Sequence, residues 1–193
     1  MNTQINHRQP LFFILIGTNG TGKTTWLKNN FLKANEKNFV VPANEMDAPQ
    51  WEAKFLTTDE LKNGFTGTRL ILPEPTIVLK AIQSTKIKGG GLVLDDYRNF
   101  LTTNGAIPAI WRKLFSDRRH KMLDIAICGH DPAAINAGLF SFNPVLVLFK
   151  TTRPFARNIG DKVINFNDLV KAQNRVNKKA QSNPHYFEFF KPG

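Results

Sequence analysis

The segment Gly17-Thr18-Asn19-Gly20-Thr21-Gly22-Lys23-Thr24 follows directly on the apolar run 11–16 and precedes a stretch of helical character. It satisfies G-x-x-x-x-G-K-[ST] at every fixed position, in the strand–loop–helix context that the pattern requires. The glycines let the backbone curl into a cradle whose N–H groups converge on phosphate oxygens. The first turn of the following helix adds its partial positive charge. Lys23 is then placed to reach the β- and γ-phosphates, and the Thr24 hydroxyl to ligate Mg²⁺. A glycine-rich turn that binds nothing would explain the glycines but not the Lys-Thr pair. Gly17 to Thr24, with Thr25 next in line, is therefore the predicted nucleotide-binding set, and a nucleoside triphosphate the predicted ligand.

The rest of the chain supplies the strands and helices such a loop needs. Short apolar runs at 39–41, 68–72, 92–94, 124–128 and 145–149 are typical of buried parallel strands. Helical spacing is found at 24–34, 76–84, 106–115 and 167–181, with Pro75 suited to a first turn. The segment 43–63 is mixed and reads as one or two helical turns. Strands alternating with helices predict an α/β fold with a mostly parallel sheet. At 193 residues a single domain is expected. Its core lies over about 11–154, and a basic C-terminal helix and tail over about 155–193. The tail aromatics Tyr186, Phe187, Phe189 and Phe190 read as core or subunit packing rather than as base-stacking surfaces. No apolar run approaches the ~18 residues of a membrane span, and the N-terminus lacks the pattern of a secretory signal. The single cysteine, Cys128, is expected to be a buried thiol. A cytoplasmic setting follows by elimination.

Charge points to a polyanionic partner. Twenty-six Lys and Arg against fifteen Asp and Glu leave a formal +11, a balance that favours phosphate contacts and counterion release. Lys171, Arg175, Lys178 and Lys179 share one face of the predicted C-terminal helix. That face reads either as a track for DNA phosphates or as an ordinary solvated surface.

Three further elements carry chemistry. The strand Leu92-Val93-Leu94 ends in Asp95-Asp96. The first acid at such a strand end helps hold the Mg²⁺ of a bound nucleotide, and a second can activate the attacking water. Asp95 is the predicted metal-site residue and Asp96 the predicted general base. Ser116-Asp117-Arg118-Arg119-His120 is placed between a helix and the next strand, where Arg118 or Arg119 could offset transition-state charge within the chain or across a subunit boundary. Gly129-His130-Asp131-Pro132 follows the strand 124–128. If that strand lies between the loop strand and the Asp95 strand, His130 faces the γ-phosphate and can orient water or sense the phosphate.

In this order, GTNGTGKT, LVLDDYRNF, DRRHKMLDIAICGHDP and PVLVLFKTTRP, the motifs resemble the FtsK–HerA superfamily of DNA-translocating P-loop ATPases. The likeness is closest to its compact viral branch of genome-packaging and Zot-like assembly ATPases, and it covers about residues 11–154. The resemblance implies a P-loop NTPase core of the ASCE/RecA-like type, with ATP and Mg²⁺ as cofactors and DNA as partner. It also implies a homo-oligomeric ring, often hexameric, with arginines acting in trans, docking to a capsid or membrane vertex, and a host-cytoplasm or virion location. Two positions depart from the family pattern: Asp96 stands where Glu is usual, and His130 where an amide is usual. A small nucleoside or nucleotide kinase and a nucleotide-switched DNA-binding or assembly protein are the alternatives. No arginine-bearing lid of the kinase kind is legible between the strands.

Overall fold

The computed structural model describes residues 9–72, 74–84, 89–101 and 105–192. Pro73, which follows the apolar run 68–72, and the N-terminal residues 1–8 lie outside the described residues. The elements in chain order are β1 (Phe12–Ile16), α1 (Lys23–Trp26), β2 (Lys37–Val41), β3 (Lys54–Phe55), α2 (Thr58–Asn63), β4 (Gly67–Leu70) and α3 (Pro75–Ser84). They continue with β5 (Gly90–Leu94), α4 (Ala109–Lys121), β6 (Leu123–Gly129), β7 (Val145–Leu148), α5 (Arg157–Gly160), α6 (Phe166–Lys179) and β8 (Glu188–Phe190). The sheet runs β3-β4-β2-β5-β6-β1-β7-β8. Every pairing is parallel except β7 with β8, where Val147 faces Phe189. The central strands are continuous apolar runs because helices cover both faces. All seven residues of β6, Cys128 among them, are buried.

Alternation along the strands divides the core in two. Phe12, Ile14 and Ile16 point into the larger cluster with Trp111 and Phe115 of α4 and Leu169, Ala172 and Val176 of α6. Leu15 points the other way, into a cluster with Trp26, Leu27 and Phe31. The helix after the phosphate loop is therefore packed on one face, and its N-terminus is held at the C-terminal edge of β1. Such edges are where open α/β sheets bind ligands. Among the described residues no helix is long and apolar enough to cross a membrane.

Several boundaries differ from the sequence reading. The helix expected over 24–34 is α-helical only through Trp26 and continues as a π-helical turn, Leu27–Leu32, with the Asn30 side-chain amide bonded to the Trp26 carbonyl at the junction. The mixed segment forms a 3-10 turn (Glu45–Trp51), the short strand β3 and α2, which opens with a Thr57/Glu60 capping box. The helix expected to end at Phe115 runs on to Lys121 and stops where Met122 turns left-handed, φ 53°. Nothing between breaks it: Trp111, Leu114, Phe115 and Arg118 form a buried i, i+3, i+4, i+7 stripe. Of the tail aromatics, Phe187 packs against Trp26 and Phe149, and Tyr186 and Phe190 against the larger cluster, whereas Phe189 touches Trp26 and Phe187 but stays 57% exposed.

Candidate active site

The loop Gly17–Gly22 is tied to the two strands flanking β1. Gly17 N donates to Gly129 O at 3.1 Å, and Thr18 N to Lys150 O at 2.9 Å. A Cβ on Gly17 would stand 2.5 Å from Phe149 Cβ and 2.8 Å from Thr21 Oγ1, so only glycine fits that crossing. Gly22, at φ 97°, turns the chain into α1. Lys23 folds back over the loop, where its Nζ donates to Gly17 O at 2.6 Å and Thr18 O at 2.9 Å. Burial lowers its pKa, opposed mainly by neighbouring negative charge.

Across the cavity mouth stand the two acids. Asp95 is only 8% exposed. Burial pushes its pKa up to about 6, against the opposing pull of Lys23; Gln50 Nε2 donates to its Oδ2 at 3.3 Å. Burial also acts on Asp96, but the forked bonds from Arg98, Nε to both oxygens and Nη2 to Oδ2 at 2.6 Å, hold it below the usual carboxylate range. His130 lies between the acids and the lysine. Its Nδ1 is 3.4 Å from Lys23 Nζ and its Nε2 3.9 Å from Asp96 Oδ2. An ammonium only donates, so Nδ1 must accept and the ring proton sits on Nε2, toward Asp96. Burial keeps that imidazole neutral by lowering its pKa.

These side chains line one cavity of about 540 Å³ with Asn19 to Thr25, Asn44, Asp47 and His185. The strand order supplies the juxtaposition: β6, carrying His130 at its end, lies between β1 and β5. Among the described residues no three His, Cys, Asp or Glu side chains form a protein-only metal cage. Mg²⁺ needs no such cage, since it keeps waters and substrate phosphates as ligands and takes only one or two protein groups. Thr24 and the under-compensated Asp95 carboxylate are the groups this cavity offers. A second cavity of about 260 Å³ adjoins the first, sharing Gly22, Thr25 and His185 and walled by Trp26, Phe149 and Phe187. The raised Asp95 pKa has a measurable consequence. In metal- and nucleotide-free protein, ionising Asp95 costs the fold stability as pH rises from about 4 through about 6, reaching the order of 2–3 kcal/mol at pH 7. Asp95→Asn is expected to be more stable than the parent at pH 7.5, with the gap closing toward pH 4.5; urea melts at both pH values measure it. A gap equal at both would show that Asp95 titrates normally.

Other sequence-predicted residues fall elsewhere. Arg118 is 5% exposed, donates to Phe115 O and Phe142 O and lies over the Phe12 ring, so it cannot extend toward a neighbouring subunit. Arg119 is exposed. Both stand at the C-terminus of α4, beside the start of β6, roughly 20 Å of strand from the phosphate loop. Neither serves this chain's own site. The reading of them as a loop failed because α4 continues through them. Lys171, Arg175, Lys178 and Lys179 are all exposed on α6, but Lys171 pairs with Asp168, and Arg175 and Lys179 with Glu188. The sequence reading missed Arg98, Gln50, Asp47 and His185. Only Arg98, two residues past the acid pair, carried a local signal.

The loop, the acid pair on the next strand but one and the intervening β6 define the fold as that of the P-loop NTPases. No protein-family model matches the sequence, and no curated protein matches it. Solved structures do match in fold. The genome packaging NTPase B204 from Sulfolobus turreted icosahedral virus 2 in complex with AMP superposes with TM-score 0.70 at 12% identity, over 97% of this chain and 94% of that one. Its complex with ATP-gammaS gives 0.65 at 12% over 98% and 94%. B204, the DNA-packaging ATPase from Sulfolobus Turreted Icosahedral Virus, gives 0.67 at 9% over 96% and 94%.

Proposed function

We propose that this chain is an ATP-hydrolysing DNA translocase of the genome-packaging kind. The observation that carries the reading is the single cavity in which Lys23, Thr24, Asp95, Asp96 and His130 meet at the end of the phosphate-loop strand. The loop amides and Lys23 hold the triphosphate, Lys23 exchanging its loop carbonyls for phosphate oxygens. Thr24 and Asp95 would hold Mg²⁺, which would supply positive charge to offset that of the phosphates. Asp96 takes the proton of the attacking water. His130, hydrogen-bonded to Lys23 on one side and 3.9 Å from Asp96 on the other, passes loss of the γ-phosphate from Lys23 to Asp96. B204, of the same fold, is a genome packaging NTPase and DNA-packaging ATPase. The basic charge and the exposed α6 face supply a sequence-independent grip on DNA, in a homo-oligomeric ring docked to a capsid or membrane vertex.

The adjoining cavity, walled by Trp26, Phe149 and Phe187, receives the nucleobase against its aromatic lining. Phe187→Ala is expected to weaken ATP binding about tenfold, comparable to the loss of one base-stacking surface, and to leave triphosphate binding by the loop itself intact. Titration with ATP and with inorganic tripolyphosphate measures it; equal losses for both would place the base elsewhere. The translocase reading is tested by phosphate release from ATP with and without single- and double-stranded DNA. Stimulation by DNA that fades with added salt is expected. Release indifferent to DNA would remove translocation, and transfer of phosphate to an added nucleoside would favour a kinase.

A further inference from the structure

The base assigned above is not free to act. Asp96 Oδ1 accepts from Arg98 N at 3.1 Å and Arg98 Nε at 3.0 Å; Oδ2 accepts from Nε at 3.1 Å and Nη2 at 2.6 Å. Three N–H groups make these four contacts, the Nε hydrogen being shared between both oxygens, and they take at least three of the carboxylate's about four lone-pair sites. The paired guanidinium also holds the carboxylate below its usual range, so it is a poor acceptor for the proton of a water. An arginine does not deprotonate in proteins, so the fork opens only if the guanidinium moves.

The surroundings fix which part can move. Tyr97, between the two residues, is fully buried and its hydroxyl donates to the Ala134 carbonyl, so the backbone of the turn Tyr97–Asn99 is anchored. The Asp96 side chain is 10% exposed and the Arg98 side chain 51%. The arginine is the mobile partner, and it stands one hydrogen bond behind a carboxylate that lines the phosphate cavity. A terminal phosphate entering that cavity brings paired anionic oxygens that the planar guanidinium fork binds bidentately. A diphosphate leaves that place empty.

We propose that Arg98 is a positioning latch on Asp96, closed in the empty and diphosphate states and drawn onto the γ-phosphate when a triphosphate binds, which frees the base. The inference rests on the ATPase reading, and it makes the site self-inhibited until the correct substrate is present. Lys23 is then paired with loop carbonyls and Arg98, behind the cavity wall, with Asp96, and both change partner on binding.

The test compares affinities of the full chain for ATPγS and ADP. Asp96→Asn removes the carboxylate anchor and is expected to raise the preference for ATPγS over ADP about tenfold, while Arg98→Ala lowers it by about as much below the parent. The double variant should lose the Asp96→Asn gain, because that gain is delivered through Arg98. Arg98→Lys, a point charge without the fork, should fall between. If Arg98→Ala does not fold, Arg98→Gln carries the same expectation. The proposal is overturned if the Asp96→Asn gain survives undiminished in the double variant, since lost carboxylate repulsion alone would explain it. It is equally overturned if removing the guanidinium leaves the preference unchanged. Binding is read without turnover, so a parent protein that binds ATPγS but releases no phosphate would sink the ATPase reading and leave the latch standing.

Discussion

Asp96→Asn is expected to lower ATP hydrolysis by about 10²–10⁴-fold, the range for loss of a positioned proton acceptor, while ATP binding is kept. Asparagine has the shape of aspartate and retains one acceptor oxygen for the Arg98 N–H, so the turn Tyr97–Asn99 and its anchor on Ala134 should survive. What it lacks is the capacity to take a proton. Comparison of single-turnover hydrolysis with equilibrium ATP binding separates the two effects. An equal loss in both would show that Asp96 holds the nucleotide rather than the water. The shorter acid, where the resembled family has Glu, places more weight on His130 for alignment. His130 is within 3.9 Å of Asp96 and 3.4 Å of Lys23.

Lys23→Ala is the second change of large expected effect. Lys23 is a buried cation of the cavity, and in the proposed mechanism its ammonium meets charge developing between the β- and γ-phosphates. Losing one preorganised donor of that kind costs roughly 10²–10³-fold in rate, and weaker triphosphate binding adds to it. The fold should survive, because the Lys23 bonds run to Gly17 and Thr18 carbonyls at the cavity that water can meet instead. Circular dichroism and a urea melt close to those of the parent would separate lost chemistry from lost structure. A variant that keeps full turnover would show that the cavity is not the site of hydrolysis.

How much of this was legible in the sequence varied with the physics of each part. The parallel strands declared themselves as short apolar runs because each is buried on both faces, and the phosphate loop because its backbone geometry admits few residues. The acid pair and His130 were legible as strand-end polar residues. Their meeting depended on β6 lying between β1 and β5, which no local pattern encodes. The end of α4 was missed because a run of charge was read as a loop, whereas Arg118 uses its aliphatic stem and a cation–π contact with Phe12 to join the core. Gln50 and Asp47 arrive through a 3-10 turn without apolar periodicity, and His185 through a tail that returns to the loop only by tertiary packing. Arg98 was visible beside the acids, but a charged residue after a strand gives no sign of the carboxylate it clasps.

The central claim is hydrolysis of ATP at the cavity formed by Lys23 and Asp96. Its most direct test is steady-state release of inorganic phosphate from ATP by the full chain with Mg²⁺ and DNA, run beside Lys23→Ala and Asp96→Asn. The account predicts release by the parent that falls about a hundredfold or more in both variants. Release that continues undiminished in Asp96→Asn would contradict it.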